Sequence, residues 1–279
     1  MNIIGLGKAG CGIADELSQY PQYKIFKIDV DIEGPGCYSV PTFDKAEQYE
    51  KYDFPKLKTF FKGIKGKTFF IVGGSGKISC SSLRILEKIK NLPISIIYIK
   101  PDYDLLNEVQ KMQDRVVFGV LQEYARSAVF EEIYLISNPD LDTVLGGVPI
   151  IGYYDKLNEI CASTLHMINV FNNTKPIIGK IEKPKETHRI VTIGLFDAKK
   201  NKEKMFFSLD NPRDKCYIYG VREEKLKTDI NLFKKLKEQV KSNVKKDLNI
   251  TYAVFSTDYE YDVGYIIERS PHVQIQEES

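Results

Sequence analysis

A short apolar strand that runs directly into a glycine turn and then a helix leaves a chain few folds to choose from. Asn2-Ile3-Ile4 supplies the strand pattern, Gly5-Leu6-Gly7-Lys8-Ala9-Gly10-Cys11-Gly12 the turn, and Ile13-Ala14-Asp15-Glu16-Leu17 the first turns of a helix. Without a Cβ, glycine lets the backbone turn sharply and come close to a ligand. The following helix offers unpaired N–H groups and the positive end of its dipole, which together favour a phosphate. The unit predicts a nucleotide site. A lone G-x-G-x-x-G is compatible with several folds, so the rest of the chain has to decide.

Strand and helix patterns alternate through the first 175 residues, as in a parallel sheet with crossover helices. Residues 23–29 form a strand ending on Asp29, followed by a loop holding Gly34, Gly36 and Pro41 and a helix near 54–63. The continuous apolar run 68–72 reads as a fully buried strand. It delivers a second glycine turn, Gly73-Gly74-Ser75-Gly76-Lys77, and a helix over about 81–91. Strands are expected at 94–99 and 132–136, with helix over 104–130 between them. There Leu105, Leu106, Val109, Met112, Val120, Leu121 and Tyr124 recur at helical spacing. A long helix over about 148–172 carries apolar residues on more than one face and should be buried.

Prolines, Gly179 and several lysines interrupt periodicity over 174–187, which marks a boundary. The expected organisation is a nucleotide-binding domain over 1–173, a linker over 174–187, a small α+β domain over 188–270 and a polar, loose tail over 271–279. In the small domain, 189–196, 204–209, 216–220 and 250–255 read as strands, and 225–247 as a lysine-rich helix with a solvated face.

Bulk properties exclude several classes. The 279 residues carry 40 basic and 38 acidic side chains, a net charge of +2, so there is no strong nucleic-acid signal. No apolar run approaches the roughly 20 residues of a membrane span, and no leader pattern is visible. The five cysteines form no C-x-x-C pair, which favours reduced thiols and a cytoplasmic setting. With the three histidines scattered, no metal site is expected.

Three nucleotide folds compete. A dinucleotide-binding unit needs an acid some 20 residues past the glycines, and Asp29 follows Gly10 by 19. That reading leaves the second glycine turn and the long helix unexplained. A P-loop at 73–77 fails at both ends, with Ile71 where its first glycine belongs and Ile78 where a hydroxyl should reach Mg²⁺.

The third fits the order of all the elements. The chain resembles the tubulin/FtsZ superfamily of GTP-binding, filament-forming proteins over residues 1–183, and in outline beyond. The resemblance rests on the first glycine loop, the strand ending at Asp29 and Asp31, and the second glycine loop Gly74-Ser75-Gly76-Lys77-Ile78-Ser79-Cys80. It extends to Lys100-Pro101, Asn138, the central helix with Tyr154 and Asn158, and Thr174-Lys175-Pro176 at its exit. It implies a Rossmann-like α/β GTPase domain with a central core helix and a smaller α+β C-terminal domain. Phosphate contacts would come from Gly5, Gly7, Lys8, Gly10, Cys11, Gly74, Ser75, Gly76, Lys77 and Ser79. Ribose and base contacts would come from Asp29, Asn138, Tyr154 and Asn158. The last two lie on one helical face, an aromatic surface beside an amide able to donate and accept. Blander roles stay open: Tyr154 as core aromatic, Asn138 as turn former before Pro139, Lys77 as solvated loop lysine.

Departures from the family pattern bear on catalysis. Lys77 and Ile78 replace small residues of the second loop, and the stretch 34–41 lacks the small-residue loop that senses the terminal phosphate. After the central helix the family carries an asparagine and two acids that position the attacking water on a neighbouring subunit. Here the segment reads Gly179-Lys180-Ile181-Glu182-Lys183-Pro184-Lys185, with Glu182 as the one acid and Lys185 where the second belongs. Lysine cannot accept a hydrogen bond from a water. The reading is GTP or GDP binding, with Mg²⁺ as an accompanying ion, self-assembly or docking with a related subunit, and weak or absent hydrolysis. Two alternatives remain: a nucleotide-free scaffold on the same fold, and an NAD(P)-dependent oxidoreductase using Gly5 to Gly12 and Asp29, for which no catalytic pair declares itself.

Overall fold

A computed structural model describes residues 1–275. Six parallel strands build the first half: β1 (Asn2–Leu6), β2 (Lys24–Val30), β3 (Cys37–Val40), β4 (Thr68–Gly73), β5 (Ile94–Lys100) and β6 (Glu132–Ser137). Their spatial order is 3-2-1-4-5-6, the doubly wound arrangement, whose reversal point falls between β1 and β4. Every residue of β1 and β6 is buried, as a sheet covered on both faces requires. Helices α2 (Ala46–Lys51), α3 (Leu57–Phe60), α4 (Ser82–Lys88) and α5 (Glu108–Arg126) cover one face. On the other lie α1 (Gly7–Leu17), α6 (Asn138–Leu145) and α7 (Tyr153–Asn172).

The sheet does not stop at the expected boundary. Beyond β6 come β8 (Ile190–Asp197), β12 (Val263–Ser270), β10 (Asp214–Arg222), β11 (Asn249–Thr257) and β7 (Ile178–Gly179), with β9 (Lys202–Met205) beside β8. β8 runs parallel to β6, with Ile133 opposite Ile190. The apolar face of α7 packs across both halves: Phe171 meets Phe255 at 4.7 Å and Tyr265 at 6.0 Å. A buried ion pair, Arg269 Nε donating to Glu132 Oε1 at 2.8 Å, joins β12 to β6. α8 (Glu223–Thr228) and α9 (Leu232–Ser242) close the chain's outer part, where Leu236 joins Phe196, Tyr217 and Tyr219 in a third apolar cluster.

Several expectations need correcting. The long helix begins at Tyr153, because Gly152 before it has φ +75° and breaks the helical path; Ile150 and Ile151 are 94% and 95% exposed. The helix over 104–130 shrinks to α5, and its first apolar residues, Val109 and Met112, face solvent. The lysine-rich helix splits into α8 and α9 at 229–231. Strands β3, β7 and β12 were not foreseen. The loose tail is half wrong: Gln274 is buried, its N–H donating to Gln122 Oε1 of α5 at 2.8 Å. Residues 276–279 lie outside the described residues.

Candidate nucleotide site

The parallel register brings the ends of four strands to one edge: Leu6 opposite Val72, Gly73 opposite Ile99, and Lys100 opposite Ser137. This is the carboxyl edge at the reversal point, where open α/β sheets place ligands. α1 starts there without a side-chain cap, so its first N–H groups have no capping partner. Gly7 makes the turn at φ +69°, and Gly10 presses the helix onto β4, where a Cβ would stand 2.3 Å from the Ile71 carbonyl oxygen. Lys8 is exposed at this turn. Cys11 is turned inward, its thiol donating to the carbonyls of Gly5 (3.6 Å) and Ile28 (3.7 Å). Burial, with Asp29 adding to it, pushes that thiol up to about 12.

The second glycine loop lies alongside, with Ile78 3.0 Å from where a Gly7 Cβ would be. Gly74 is buried against α5, and a Cβ there would overlap Asp114 and the Tyr98 hydroxyl. Asp114 is fully buried; the Tyr98 hydroxyl donates to one of its oxygens and the Tyr103 hydroxyl to the other at 2.6 Å. These three residues, absent from the sequence reading, set the floor of the loop. Their signal was available: Asp114 stands three, four and seven positions before Val117, Phe118 and Leu121, an acid on the apolar face of its helix. Ser79 is buried and its hydroxyl donates to the Gly73 carbonyl, bracing the loop from within. Ser75 is half-buried, and Gly76 and Lys77 are exposed.

Around this floor stand the groups expected at ribose and base. Asp29 is the next-to-last residue of β2, accepting from the Val30 N–H at 2.8 Å. Burial raises its carboxyl above the ordinary range, against the pull of that bond and of nearby Lys8. The Lys100 ammonium sits over the rings of Tyr103 (5.5 Å), Phe207 (5.6 Å) and Phe118 (6.0 Å). Asn138 is the first residue of α6, capped by the Ser137 hydroxyl accepting from the Asp140 N–H at 3.3 Å. Tyr154 is 58% exposed, edge-on to Tyr153 at 5.2 Å, and so is no core aromatic. One turn on, half-buried Asn158 lies against α1, where a Gly12 Cβ would come within 2.4 Å of its amide nitrogen. Among the described residues the Asn158 side chain makes no hydrogen bond. Nor is any group of three or more His, Cys, Asp and Glu arranged to hold a metal ion.

Glu182 stands elsewhere. It follows β7 and pairs with Lys180 at 2.9 Å, a bond that lowers its pKa, and it accepts from Asn249 at 3.4 Å. Asn249 begins β11 opposite Asp214, which lies opposite Arg269; Ser270 beside it pairs with Ile190, which meets Ile133 at the start of β6. Glu182 is therefore at the amino edge of the parallel strands, across the sheet from the glycine loops.

No family model and no curated protein matches this sequence. Solved structures do. The TubZ-Bt four-stranded filament model aligns with TM-score 0.74 at 14% identity over 96% of this chain and 85% of that one. The GTPγS-form protofilament of Bacillus thuringiensis serovar israelensis TubZ aligns at 0.70 and 14%, over 95% and 87%. An empty FtsZ dimer from M. jannaschii aligns at 0.68 and 12%, over 96% and 87%. The chain has the fold of these TubZ and FtsZ structures.

Proposed function

We propose that this chain binds a guanine nucleotide at the carboxyl edge of its sheet and uses it to govern assembly with itself or a related subunit. The observation that carries the reading is the Asn158 amide, half-buried, without a hydrogen bond, beside the glycine turn and one helical turn from an exposed tyrosine. An amide without a partner in the chain can exchange its water for a ligand, and a purine edge offers both donor and acceptor. The phosphates would rest on the α1 N-terminus and the Gly74-Ser75-Gly76 backbone, with Lys8 and Lys77 as point charges. Cys11 and Ser79 act there through the backbone, since their side chains are engaged inward. Mg²⁺ would be held chiefly by the phosphates.

Residues 1–173 serve as the nucleotide-binding unit and 188–270 as the smaller one, with 174–187 threading between them. Relatives of this fold are described as filaments and protofilaments, which supports self-association. Placement of Glu182 on the opposite edge fits head-to-tail stacking, the heterologous contact that yields open filaments. Its bonds to Lys180 and Asn249 leave it poorly disposed to orient a water, so hydrolysis is weak or absent. The free cysteines, of which Cys11, Cys161 and Cys216 are buried, suit a reducing cytoplasm.

A thermal melt with GTP, GDP or NADH tests this. Ligand at a hundred times Kd stabilises by about 2.7 kcal/mol, a shift of several degrees. A shift with guanine nucleotides that Asn158→Ala abolishes is the expected result. A shift with NADH alone would favour the oxidoreductase reading through Asp29, and no shift at all the empty scaffold.

A further inference from the structure

A net charge of +2 conceals how unevenly the charge is spread. Residues 232–246 carry six lysines against one acid, Glu238. Leu236 and Gln239 turn α9 onto the sheet, where the Tyr219 hydroxyl donates to Gln239 Oε1 at 3.2 Å. At about 100° per residue, Lys234, Lys237 and Lys241 fall within about 60° of one another, on the side the sheet does not cover. Lys245 and Lys246, both exposed, extend the row past the helix end. The turn between β8 and β9 adds more of the same sign. Asn201 accepts from Gln239 Nε2 at 3.2 Å and Asn243 Nδ2 at 3.1 Å, and donates to Ser242 Oγ at 3.3 Å. Those bonds pin the exposed Lys199, Lys200 and Lys202 beside the end of α9.

Lys234 and Lys235 have acids within reach, Glu238 at 4.0 Å and Asp229 at 3.4 Å. Among the described residues Lys237, Lys241, Lys245 and Lys246 form no ion pair, nor do Lys199, Lys200 and Lys202. Like charges held together destabilise the folded chain, as Lys237 and Lys241 do four positions apart. An anionic surface would relieve that repulsion. Apolar side chains stand in the same patch. Ile230 and Val244, just outside the two ends of α9, are 93% and 62% exposed. Phe233, 39% exposed, lies under the Lys237 ammonium at 4.4 Å. A nucleic-acid backbone would take the lysines and leave these three in water. A lipid surface takes both, charge at its headgroups and apolar side chains at the acyl boundary. We propose that α9 and the 199–202 turn dock this chain on an anionic lipid surface. The contact is peripheral and needs neither nucleotide nor an assembled filament.

Vesicle co-sedimentation of the full chain without nucleotide tests this separately from the guanine reading. With phosphatidylcholine vesicles holding about 30% phosphatidylserine, the chain should bind at about 0.1 M salt and come off at about 0.5 M. It should ignore vesicles of phosphatidylcholine alone. Lys200→Glu and Lys241→Glu should each weaken binding at least about tenfold, with an unchanged melting midpoint. Lys58→Glu, the same charge change on exposed α3, should leave binding within about twofold. Ile230→Ser should weaken it about fivefold without altering its salt dependence. A chain that does not bind the anionic vesicles at low salt overturns the proposal. So does a loss in Lys58→Glu equal to that in Lys241→Glu, which would make binding a matter of net charge. Tighter binding to duplex DNA of arbitrary sequence than to the vesicles, with Ile230→Ser silent in both, would make the patch a general polyanion surface and overturn it too.

Discussion

The polar groups at the two edges of the parallel sheet end in opposite conditions. At the carboxyl edge the Asn158 amide makes no hydrogen bond among the described residues, and the α1 N-terminus has no capping side chain. At the amino edge the polar groups satisfy one another. Asp214 accepts from Lys185 at 2.9 Å, from Asn249 at 3.1 Å and from His188, while Glu182 takes Lys180. The open hollow there, about 770 Å³, is lined by Lys185, His188, Arg213, Asp247, Asn249 and His272. An edge whose polar groups are closed on themselves is already stable without a ligand. An edge that leaves a half-buried amide without a protein partner keeps it available to a ligand.

Substitutions can break that contrast. Gly10→Ala should have the largest effect, because its Cβ would strike the Ile71 carbonyl, a backbone atom unable to swing aside. A loss of about 3 kcal/mol is expected, read as a midpoint lower by several degrees. At the other edge, Asp214→Ala strands three donors and should cost about 2 kcal/mol in urea unfolding, with no effect on nucleotide affinity.

Gly12→Ala sharpens the comparison. Its Cβ would meet only the end of the Asn158 side chain. Replacing a helical glycine favours the helix by up to about 1 kcal/mol, while displacing the amide should weaken guanine-nucleotide binding about tenfold in calorimetry. Stability and affinity would move in opposite directions, which no purely structural role for Asn158 predicts. Glu182→Gln should be nearly silent, changing stability by less than about 0.5 kcal/mol and leaving the basal turnover of GTP, measured as phosphate release, where it was.

The smallest effects are those of pH. His166 stacks on Tyr20 at 3.6 Å with Nδ1 3.1 Å from the Tyr23 hydroxyl, and burial holds its pKa below the ordinary 6.5. The folded chain thus prefers the neutral ring. Its contribution is full above about pH 6.5 and is lost as pH falls through the lower folded value. Asp214 would be raised by its burial, but the bonds from His188, Lys185 and Asn249 win and hold it below 3.8. Its contribution is present above that pH and lost in stronger acid. The melting difference between wild type and His166→Asn should therefore change between about pH 7.5 and 5.5, and the difference between wild type and Asp214→Asn should shrink below about pH 4.

Local rules were readable wherever neighbours in sequence enforce them. Continuous apolar runs became β4 and β5 because parallel strands are buried on both faces. The first glycine stretch was placed correctly as the strand-to-helix junction, but the turn is tighter than expected: Gly5 and Leu6 finish β1 and the helix starts already at Gly7, not at Ile13. Misreadings arose where a partner lies far along the chain. Val263–Ser270 looks weakly strand-like, yet it holds β8 and β10 together; β7, only two residues long, exists because β11 presents an open edge. Gln274 reads as a polar tail until Gln122, 152 residues away, is seen to bond it.

What the sequence by itself determined is the alternation of strands and helices, the two glycine turns and the four-residue spacing that puts Tyr154 and Asn158 on one face. Those follow from backbone geometry and side-chain periodicity. Only the tertiary structure decided which face of α5 is buried, that Ser79 and Cys11 turn inward, that Asp114 floors the second loop, and that Glu182 lies across the sheet. Each depends on which distant atom is close enough to accept a hydrogen bond or exclude water, and strand order, not residue order, sets that proximity.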